Sequence, residues 1–348
     1  MATPEDVAYC TREQVQATLD QADSVRLNRR IDDACRAASR DVEGELHRRF
    51  YPIAGARYVP PRQISGGVIW LNHIDLEVCS LTSLTVDGSP LVVDTDYYLS
   101  PDVAPFTAVR RPVGSAAAWP VTERGVLLTS RDFGGSNTTA PAGALAAAIS
   151  TTSVTTMTVT DSSAVGVGDL VTVDLERVIV REKELVTTTA TLTGNVAADT
   201  AVTTIPASSG ALVKVGEMIL IGAERMFVEQ IAGNNLIVER AMQGSTLAAH
   251  ATSDVVYAPR LCTIVRGAAG TTAATHLSAA ALARNAPPSL VSEAALAGAL
   301  NYLEQGKAGY ARTVGSGDAT RQASGAGVAA VLARAYAAYG RQGRIGVG

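Results

Sequence analysis

Aromatic residues and charges are scarce in this 348-residue chain. Phe, Trp and Tyr make up 5% of it and charged residues 18%, whereas hydrophobic residues reach 47% and are largely alanine and valine. Small side chains each bury little area, so the core must spread over many contacts, and such a chain gains stability from partner subunits. No apolar run approaches the roughly 18–20 residues of a membrane-spanning helix. Residues 1–6 are acidic where a secretory leader is basic, so we expect a chain made in the host cytoplasm.

Cysteine is equally rare, and the familiar catalytic motifs are missing. The four cysteines are Cys10, Cys35, Cys79 and Cys262. They are widely spaced and form no C-x-x-C pair, which argues against a disulfide framework or a zinc site. G-x-S-x-G, G-x-x-x-x-G-K-[ST] and H-E-x-x-H are all lacking. We predict no catalytic residue, no cofactor, no metal ligand and no enzymatic activity.

Two helices are predicted near the start of the chain. Residues 11–14 read Thr-Arg-Glu-Gln, a capping box that begins a short helix ending near Asp20. In the longer helix that follows, apolar residues recur every three or four positions from Leu27 to Leu46, which places them on one face. Pro52 prevents this helix from continuing.

Short strand-like runs replace the helical pattern between residues 57 and 130. Asp87 and Gly88 separate two of these runs, and both residues tolerate the positive φ of a hairpin turn. We expect a small antiparallel sheet in this segment.

Residues 137–276 are rich in Thr, Ala, Val and Gly and contain two internal repeats. The residues Val-Gly-Asp-Leu and Glu-Arg-Val-Ile-Val within 167–180 have counterparts within 215–228, about fifty positions later. A second pattern with Arg, Gly and His at 240–250 returns at 266–276. The repeated His250 and His276 are predicted to close strands by hydrogen bonds to the backbone. Each unit reads as strand, turn, strand, which indicates barrel-like or sandwich-like modules.

Helical character returns after residue 288. Small-residue faces occur at 291–302 and 328–339, and the stretch 309–318 between them is predicted to be an extended link. The net charge is −4, yet no acidic residue follows Asp318 while arginine recurs, so this end suits an acidic partner or a phosphate backbone.

The predicted fold class is α+β, with a helical core that carries a small antiparallel sheet and an inserted all-β repeat domain. Residues 1–136 provide the first helices and the sheet, 137–276 the inserted domain with two modules, and 277–348 the last helices and an extended tail. The first and last parts are expected to pack together, because neither has enough apolar surface for a core of its own.

Several stretches of the first 135 residues resemble head-to-tail adaptor (connector) proteins of long-tailed bacteriophages. They are residues 9–11 at a helix start, 31–43, 48–52 (Arg-Arg-Phe-Tyr-Pro), 81–88, 96–101 and 125–129. The stretches 309–318 and 335–341 are similar to the tails of actinobacteriophage members. The inserted domain is a departure, since simpler adaptors pass directly from the sheet to the last helices.

The resemblance implies a helical adaptor core within a ring of about twelve copies in the virion neck. The implied partners are the portal protein above and a tail-side neck protein below, and double-stranded DNA passes through without sequence-specific binding. No membrane is involved. Portal binding is assigned to Arg321, Arg334, Tyr336, Tyr339, Arg341 and Arg344. Subunit contacts are assigned to Arg29, Asp33, Arg36, Arg40 and Glu43.

Two other functions compete with the ring adaptor. The β modules suit a virion surface-binding protein that recognises carbohydrate or another structural protein, although residues 140–276 contain no Trp to serve as a sugar platform. An enzyme that uses His250 or His276 is the third possibility. Ring formation, glycan binding and an activity lost on changing these histidines distinguish the three.

Overall fold

A computed structural model describes residues 7–19, 24–115, 117–307, 313–314, 321–322 and 326–341. Four α-helices lie in these ranges. They are α1 (Arg12–Leu19), α2 (Val25–Leu46), α3 (Ser289–Lys307) and α4 (Ala326–Tyr339).

The strands fall into three groups along the chain. The first group is β1 (Ile53–Tyr58), β2 (Ile64–Ser65), β3 (Val68–Trp70), β4 (Val78–Ser80), β5 (Ser83–Val86), β6 (Ser89–Leu91), β7 (Tyr98–Ser100), β8 (Ala108–Arg110) and β9 (Val126–Phe133). The second is β10 (Thr139–Ala144), β11 (Thr156–Thr158), β12 (Leu170–Val173), β13 (Glu176–Thr191), β14 (Thr204–Pro206), β15 (Met218–Ile221), β16 (Glu224–Ala232), β17 (Asn235–Glu239), β18 (Val255–Val265) and β19 (Ala281–Asn285). The last is the short pair β20 (Thr313–Val314) and β21 (Arg321–Gln322).

The prediction of an α+β fold with a helical core is wrong. The chain is mostly β, with 36% strand against 22% helix, and it has three large antiparallel sheets of ten, five and four strands. The reason lies in the short apolar runs between residues 57 and 130. They build two separate sheets, and their side chains, such as Ile69, Leu84 and Leu128, are fully buried in the core beside the helices.

Local signals in the sequence place the first two helices. Thr11 and Gln14 form the predicted capping box, because Thr11 N donates to Gln14 Oε1 (2.9 Å) and Gln14 N to Thr11 Oγ1 (3.3 Å). Ser24 caps α2 by accepting a hydrogen bond from Leu27 N at 3.4 Å. His47 ends α2 in the left-handed conformation.

The two ends of the chain share one core, which we call the body (residues 7–133 with α3 and α4). One sheet has the order β1-β9-β5-β6, with β4 also on β9, and the other has the order β2-β3-β8-β7. Phe50, Tyr51 and Phe133 are buried in the same cluster as Ala295 of α3 and Ala335 of α4. Helices α2 and α3 approach closely, since a Cβ added at Gly298 would lie 3.0 Å from Ala38 Cβ.

The ten-stranded sheet contains two modules, one nested inside the other. The outer module comprises residues 139–184 and 260–285, and the inner module comprises residues 187–258. Each has its own apolar core. The long strands β13 and β18 pair with each other and pass through both modules, so the inner module is an insertion carried by two continuous strands. The last strand of this sheet, β19, lies beyond residue 276.

Candidate functional site

The residues assigned to subunit contacts on α2 divide into an exposed and an internal group. Arg29 and Asp33 are exposed to solvent, and Asp33 accepts a hydrogen bond from Arg36 on the next turn. Arg40 and Glu43 lie closer to the interior, and Glu43 is only 8% exposed. Of the residues assigned to subunit contacts, Arg29 and Asp33 are therefore the most accessible to a neighbouring copy.

Glu43 and Arg40 of α2 bind residues 7–9 at the start of the described chain. The Tyr9 hydroxyl donates to Glu43 Oε1 at 2.5 Å, and Arg40 Nη2 lies 3.1 Å from the same oxygen and donates to the Val7 carbonyl at 2.8 Å. Burial raises the pKa of the Tyr9 hydroxyl well above its usual value, and the Glu43 charge adds to this effect. Burial also raises the pKa of Glu43, against the opposing influence of Arg40. This network stabilises the fold of the body.

Helix α4 places the residues assigned to portal binding in different surroundings. Arg334 is exposed and donates to Glu293 Oε1 on α3 at 3.0 Å. The Tyr339 ring packs edge-on against Phe50, with centroids 6.2 Å apart, and Tyr336 is half-buried against the same core. The two tyrosines therefore fasten α4 to the body.

Arg341 fastens the chain just after α4. Its backbone N donates to the Leu46 carbonyl at 3.0 Å, and its Nη2 donates to Glu77 Oε2 at 2.6 Å. Glu77 is fully buried, and its other oxygen lies 2.9 Å from Arg48 Nη2. Two arginines thus compensate one buried carboxylate. Glu77 could not be singled out from the sequence, because the residue stands outside any repeat or periodic pattern.

The outward face of α4 is almost uncharged. Arg334 is the one charged side chain among the exposed described residues of this helix. The others on this face are Ala329, Ala330, Ala333, Ala337 and Ala338. A surface helix normally turns charged and polar residues to solvent, and contiguous apolar surface marks interaction sites. The side chain of Arg321 and the whole of Arg344 lie outside the described residues.

A groove of about 640 Å³ brings both sets of assigned residues together at the foot of α4. Its lining includes Arg40, Glu43, His47, His73, Tyr336 and Arg341. Subunit-contact residues of α2 and portal-contact residues of the C-terminal segment therefore share one surface depression. Sequence separation of about 300 residues hides this proximity from any local pattern.

In the outer module, the repeated residues meet in a buried ionic cluster formed by Glu176, Arg266 and His276. The Glu176 carboxylate accepts from Arg266 Nε and Nη2 (2.8 and 2.7 Å) and contacts His276 Nε2 (2.9 Å). The backbone N–H groups of Gly267 and Ala274 also donate to it. Burial alone would raise the pKa of Glu176, but these partners outweigh it and lower the pKa to about 2.

The inner module repeats this cluster with Glu224, Arg240 and His250. Glu224 accepts from Arg240 Nε and Nη2 (2.9 and 2.7 Å) and contacts His250 Nε2 (2.8 Å). Ala241 N and Ala248 N complete its partners. Against the effect of burial, these contacts lower the pKa of Glu224 to about 2. The histidine rings thus bond to carboxylates, whereas the sequence predicted side-chain bonds to the backbone.

The chemistry of these two clusters indicates that they stabilise the modules and do not catalyse a reaction. Each carboxylate is surrounded by donors from an arginine, a histidine and two backbone groups, which leaves it little capacity to accept a proton from a substrate. In the part of the chain that the structure describes, no group of three His, Cys, Asp or Glu residues is placed to hold a metal ion. The four cysteines are free and buried.

Comparison with protein families, with curated proteins and with solved structures identifies no match for this chain. Among the described residues, no helix is long and apolar enough to cross a membrane.

Proposed function

We propose that this protein is a structural subunit of a bacteriophage virion that forms a ring of about twelve copies between the portal vertex and the tail. The observation that carries the proposal is the outward face of α4, where five exposed alanines lie beside a single arginine. A helix fixed on one side and apolar on the other is suited to packing against another protein. In this proposal the portal protein covers that face.

The way α4 is fastened supports a docking role. The Tyr339–Phe50 contact and the Arg341–Glu77 ion pair hold the helix on the body, so its outer face is presented with little loss of conformational entropy on binding. The exposed Arg29 and Asp33 on α2 carry opposite charges, which suits a contact between neighbouring copies around a ring.

The remaining partners follow from the same proposal. A tail-side neck protein binds the opposite side of the ring, and double-stranded DNA passes through the channel without sequence-specific contacts. The net charge of −4 is compatible with passage, because strong attraction for phosphate would retain the DNA. The protein acts in the virion neck after synthesis in the host cytoplasm and performs no catalysis.

Portal binding and ring formation can be tested separately. The double variant Ala333→Asp with Ala337→Asp places two charges on the outward face of α4, where both side chains are exposed. We expect it to lose co-sedimentation with the cognate portal protein and to keep the ring mass of the wild type in mass photometry. Leu277→Asp, at an 80% exposed position of the β region, is the matched control and should bind portal normally.

Two outcomes would contradict the proposal. A wild-type chain that stays monomeric at all concentrations, with and without portal protein, would exclude the ring. Unchanged portal binding by the double alanine variant would exclude α4 as the docking surface.

A further inference from the structure

Helix α2 exposes three arginines near its start, which we call the arginine stripe (Arg26, Arg29 and Arg30). Arg29 and Arg30 follow Arg26 by three and four positions, so the three side chains lie next to each other on the outer surface of the helix. Among the described residues, no carboxylate forms an ion pair with any of them, and Asp33 on the next turn is already bonded to Arg36. On the described surface the stripe is therefore positive.

An acidic surface lies elsewhere on the body, in the two loops that flank strand β7 (residues 92–96 and 101–105, the β7 loops). Residues 63–109 include six acidic side chains and no lysine or arginine. Asp94 and Asp102 are exposed, one in each loop, and no described cation pairs with either. Because β7 is the edge strand of its sheet, its outer side has no neighbouring strand among the described residues.

The same two loops expose apolar side chains. Val92, Val93 and Val103 are 59%, 48% and 76% exposed. A single exposed valine is normal on a protein surface, but several beside unpaired carboxylates combine the apolar and charged parts of a protein–protein interface. The β7 loops therefore have the composition of a contact surface.

The first of these loops is held in one conformation. Val92 N donates to Asp96 Oδ2 at 2.8 Å, and Asp94 N donates to the carbonyl of Tyr97 at 2.7 Å. The Tyr97 side chain is buried in the core of the body. A partner that binds this loop therefore pays little conformational entropy to order it.

The arginine stripe and the β7 loops lie well apart on the body. At 1.5 Å per residue, Arg26 is about 30 Å along α2 from His47 at its end. His47 lines the same groove as Asn72 and His73, which follow β3 closely, so the four-stranded sheet lies near the end of α2. Strand β7 is two strands from β3, or about 10 Å. Each surface is thus left for a partner outside the chain.

We infer that the β7 loops of one copy bind the arginine stripe of the next copy. Asp94 and Asp102 then compensate the three arginines, and the exposed valines are buried at the contact. The contact joins two different surfaces, so it is heterologous, and its repetition closes into a ring. This inference rests on the proposed function and deepens it, because it names the second surface of the subunit interface.

Double-stranded DNA is another partner that suits a row of arginines. DNA accounts for the positive stripe alone, since its phosphates repel the carboxylates of the β7 loops. A second copy of the chain accounts for both surfaces and for their opposite charges. The observations therefore favour a contact between copies.

The test reverses the charge of each surface in the full-length protein. The stripe variant is Arg29→Glu with Arg30→Glu. The loop variant is Asp94→Asn with Asp102→Lys, because asparagine tolerates the positive φ of 62° at position 94. In sedimentation velocity, we expect either variant alone to need at least tenfold more protein than the wild type to form rings. Arg62→Glu, at an exposed position just before β2 on the opposite edge of the sheet, is the matched control and should assemble normally.

An equimolar mixture of the two variants gives the sharper measurement. The altered loops of one variant meet the altered stripe of the other, and the two unaltered surfaces also meet. Every contact then joins opposite charges, so rings of alternating copies should form again. Both variants should keep the melting temperature of the wild type, since all four altered side chains are exposed.

The possible failures separate this inference from the proposed ring. If the wild type forms rings and either variant assembles equally well, the interface lies elsewhere and the ring still stands. Folded variants that do not assemble when mixed would show that the two surfaces do not meet. Normal rings of a stripe variant that no longer retains double-stranded DNA would assign the stripe to DNA. A wild type that never assembles would contradict the proposed function and this inference together.

Discussion

The outer and inner modules have the same strand arrangement and the same buried cluster, yet their surroundings differ. In both, a glutamate at the start of a strand receives an arginine and a histidine from the far end of the module. The outer module is hydrogen-bonded to the body through Gly168 and Arg177. The shared cluster is therefore a property of the module's fold, whereas body binding depends on where a module sits in the molecule.

A second difference concerns two equivalent carboxylates. Asp169 of the outer module accepts a hydrogen bond from Gly166 N at 2.8 Å, and burial raises its pKa to about 6. Its counterpart Glu217 is also opposed by burial, but Arg260 and Ser162 outweigh this and lower its pKa. The same position of the repeat thus carries Asp169, whose charged form is disfavoured by burial, in the outer module and Glu217, whose charge is compensated by Arg260, in the inner module.

The largest expected effect comes from breaking the cluster in one module. Glu224→Ala leaves Arg240 buried without its partner and should destabilise the inner module by about 3–5 kcal/mol. Because β13 and β18 continue into the outer module, that module should keep its structure. Hydrogen exchange should therefore accelerate within residues 190–255 and stay unchanged at residues 166–180.

The control for this prediction is Glu229→Ala, which removes an exposed carboxylate from the same strand β16. It should leave exchange unchanged in both modules. If Glu224→Ala unfolded both modules together, the two would form one cooperative unit, and the inner module would not be an independently stable insertion.

A smaller effect on stability is expected from neutralising the equivalent carboxylates Asp169 and Glu217. The effect should have opposite signs in the two modules. Burial raises the pKa of Asp169 in the folded state to about 6, whereas its value in the unfolded chain is about 3.9. The stability of the protein therefore falls as the pH rises from about 3.9 through about 6, and it is regained below about 3.9. Asp169→Asn should thus stabilise the protein at pH 7. About two pKa units at 1.4 kcal/mol each set a limit of roughly 3 kcal/mol.

Glu217→Gln should instead destabilise the protein at pH 7, because Arg260 loses its charged partner. Thermal melts at pH 4 and pH 7 compare the melting temperatures of both variants with that of the wild type. A gain in melting temperature for Asp169→Asn that is the same at both pH values would contradict the assignment of the effect to ionisation of Asp169.

The smallest effect concerns the position where the repeat itself differs. Asp174 contacts His276 Nδ1 at 2.8 Å, whereas its counterpart is Gly222, next to His250. Both positions have positive φ, 52° and 59°, which aspartate tolerates. Gly222→Asp should give His250 a further partner and stabilise the inner module by less than about 1 kcal/mol, since Asp174 itself is largely exposed.

High salt should remove this gain, because an exposed ion pair is screened. Ala223→Asp adds the same charge at the adjacent exposed position and serves as the control. An equal gain in melting temperature for both variants would indicate a general charge effect, not a contact with the histidine.

Local features were predictable because their signals lie within a few residues. The capping box at Thr11 and the hairpin at Asp87 and Gly88 are both present, and Val86 pairs with Ser89 across that turn. The sequence also singled out the repeated glutamates and histidines. It did not indicate that they contact each other, because Glu176 lies 100 residues from His276 and the inner module separates the two.

The fold class was mispredicted for a related reason. Strands of three or four residues carry a weak periodic signal, so the runs between residues 57 and 130 suggested one small sheet beside a helical core. They form two sheets, and β9 joins β1, β4 and β5 across large sequence separations. Such pairings are set by core packing, which short runs do not reveal.

The sequence by itself determined that two similar β units exist, that their glutamates and histidines recur, and that small residues dominate the core. The tertiary structure alone decided that one unit is nested in the other, that Arg341 reaches Glu77, and that the outer module is hydrogen-bonded to the body. The physical reason is that repeats and caps are local chemistry. Nesting and burial depend on which distant strands pair, and long-range packing energy selects those pairs.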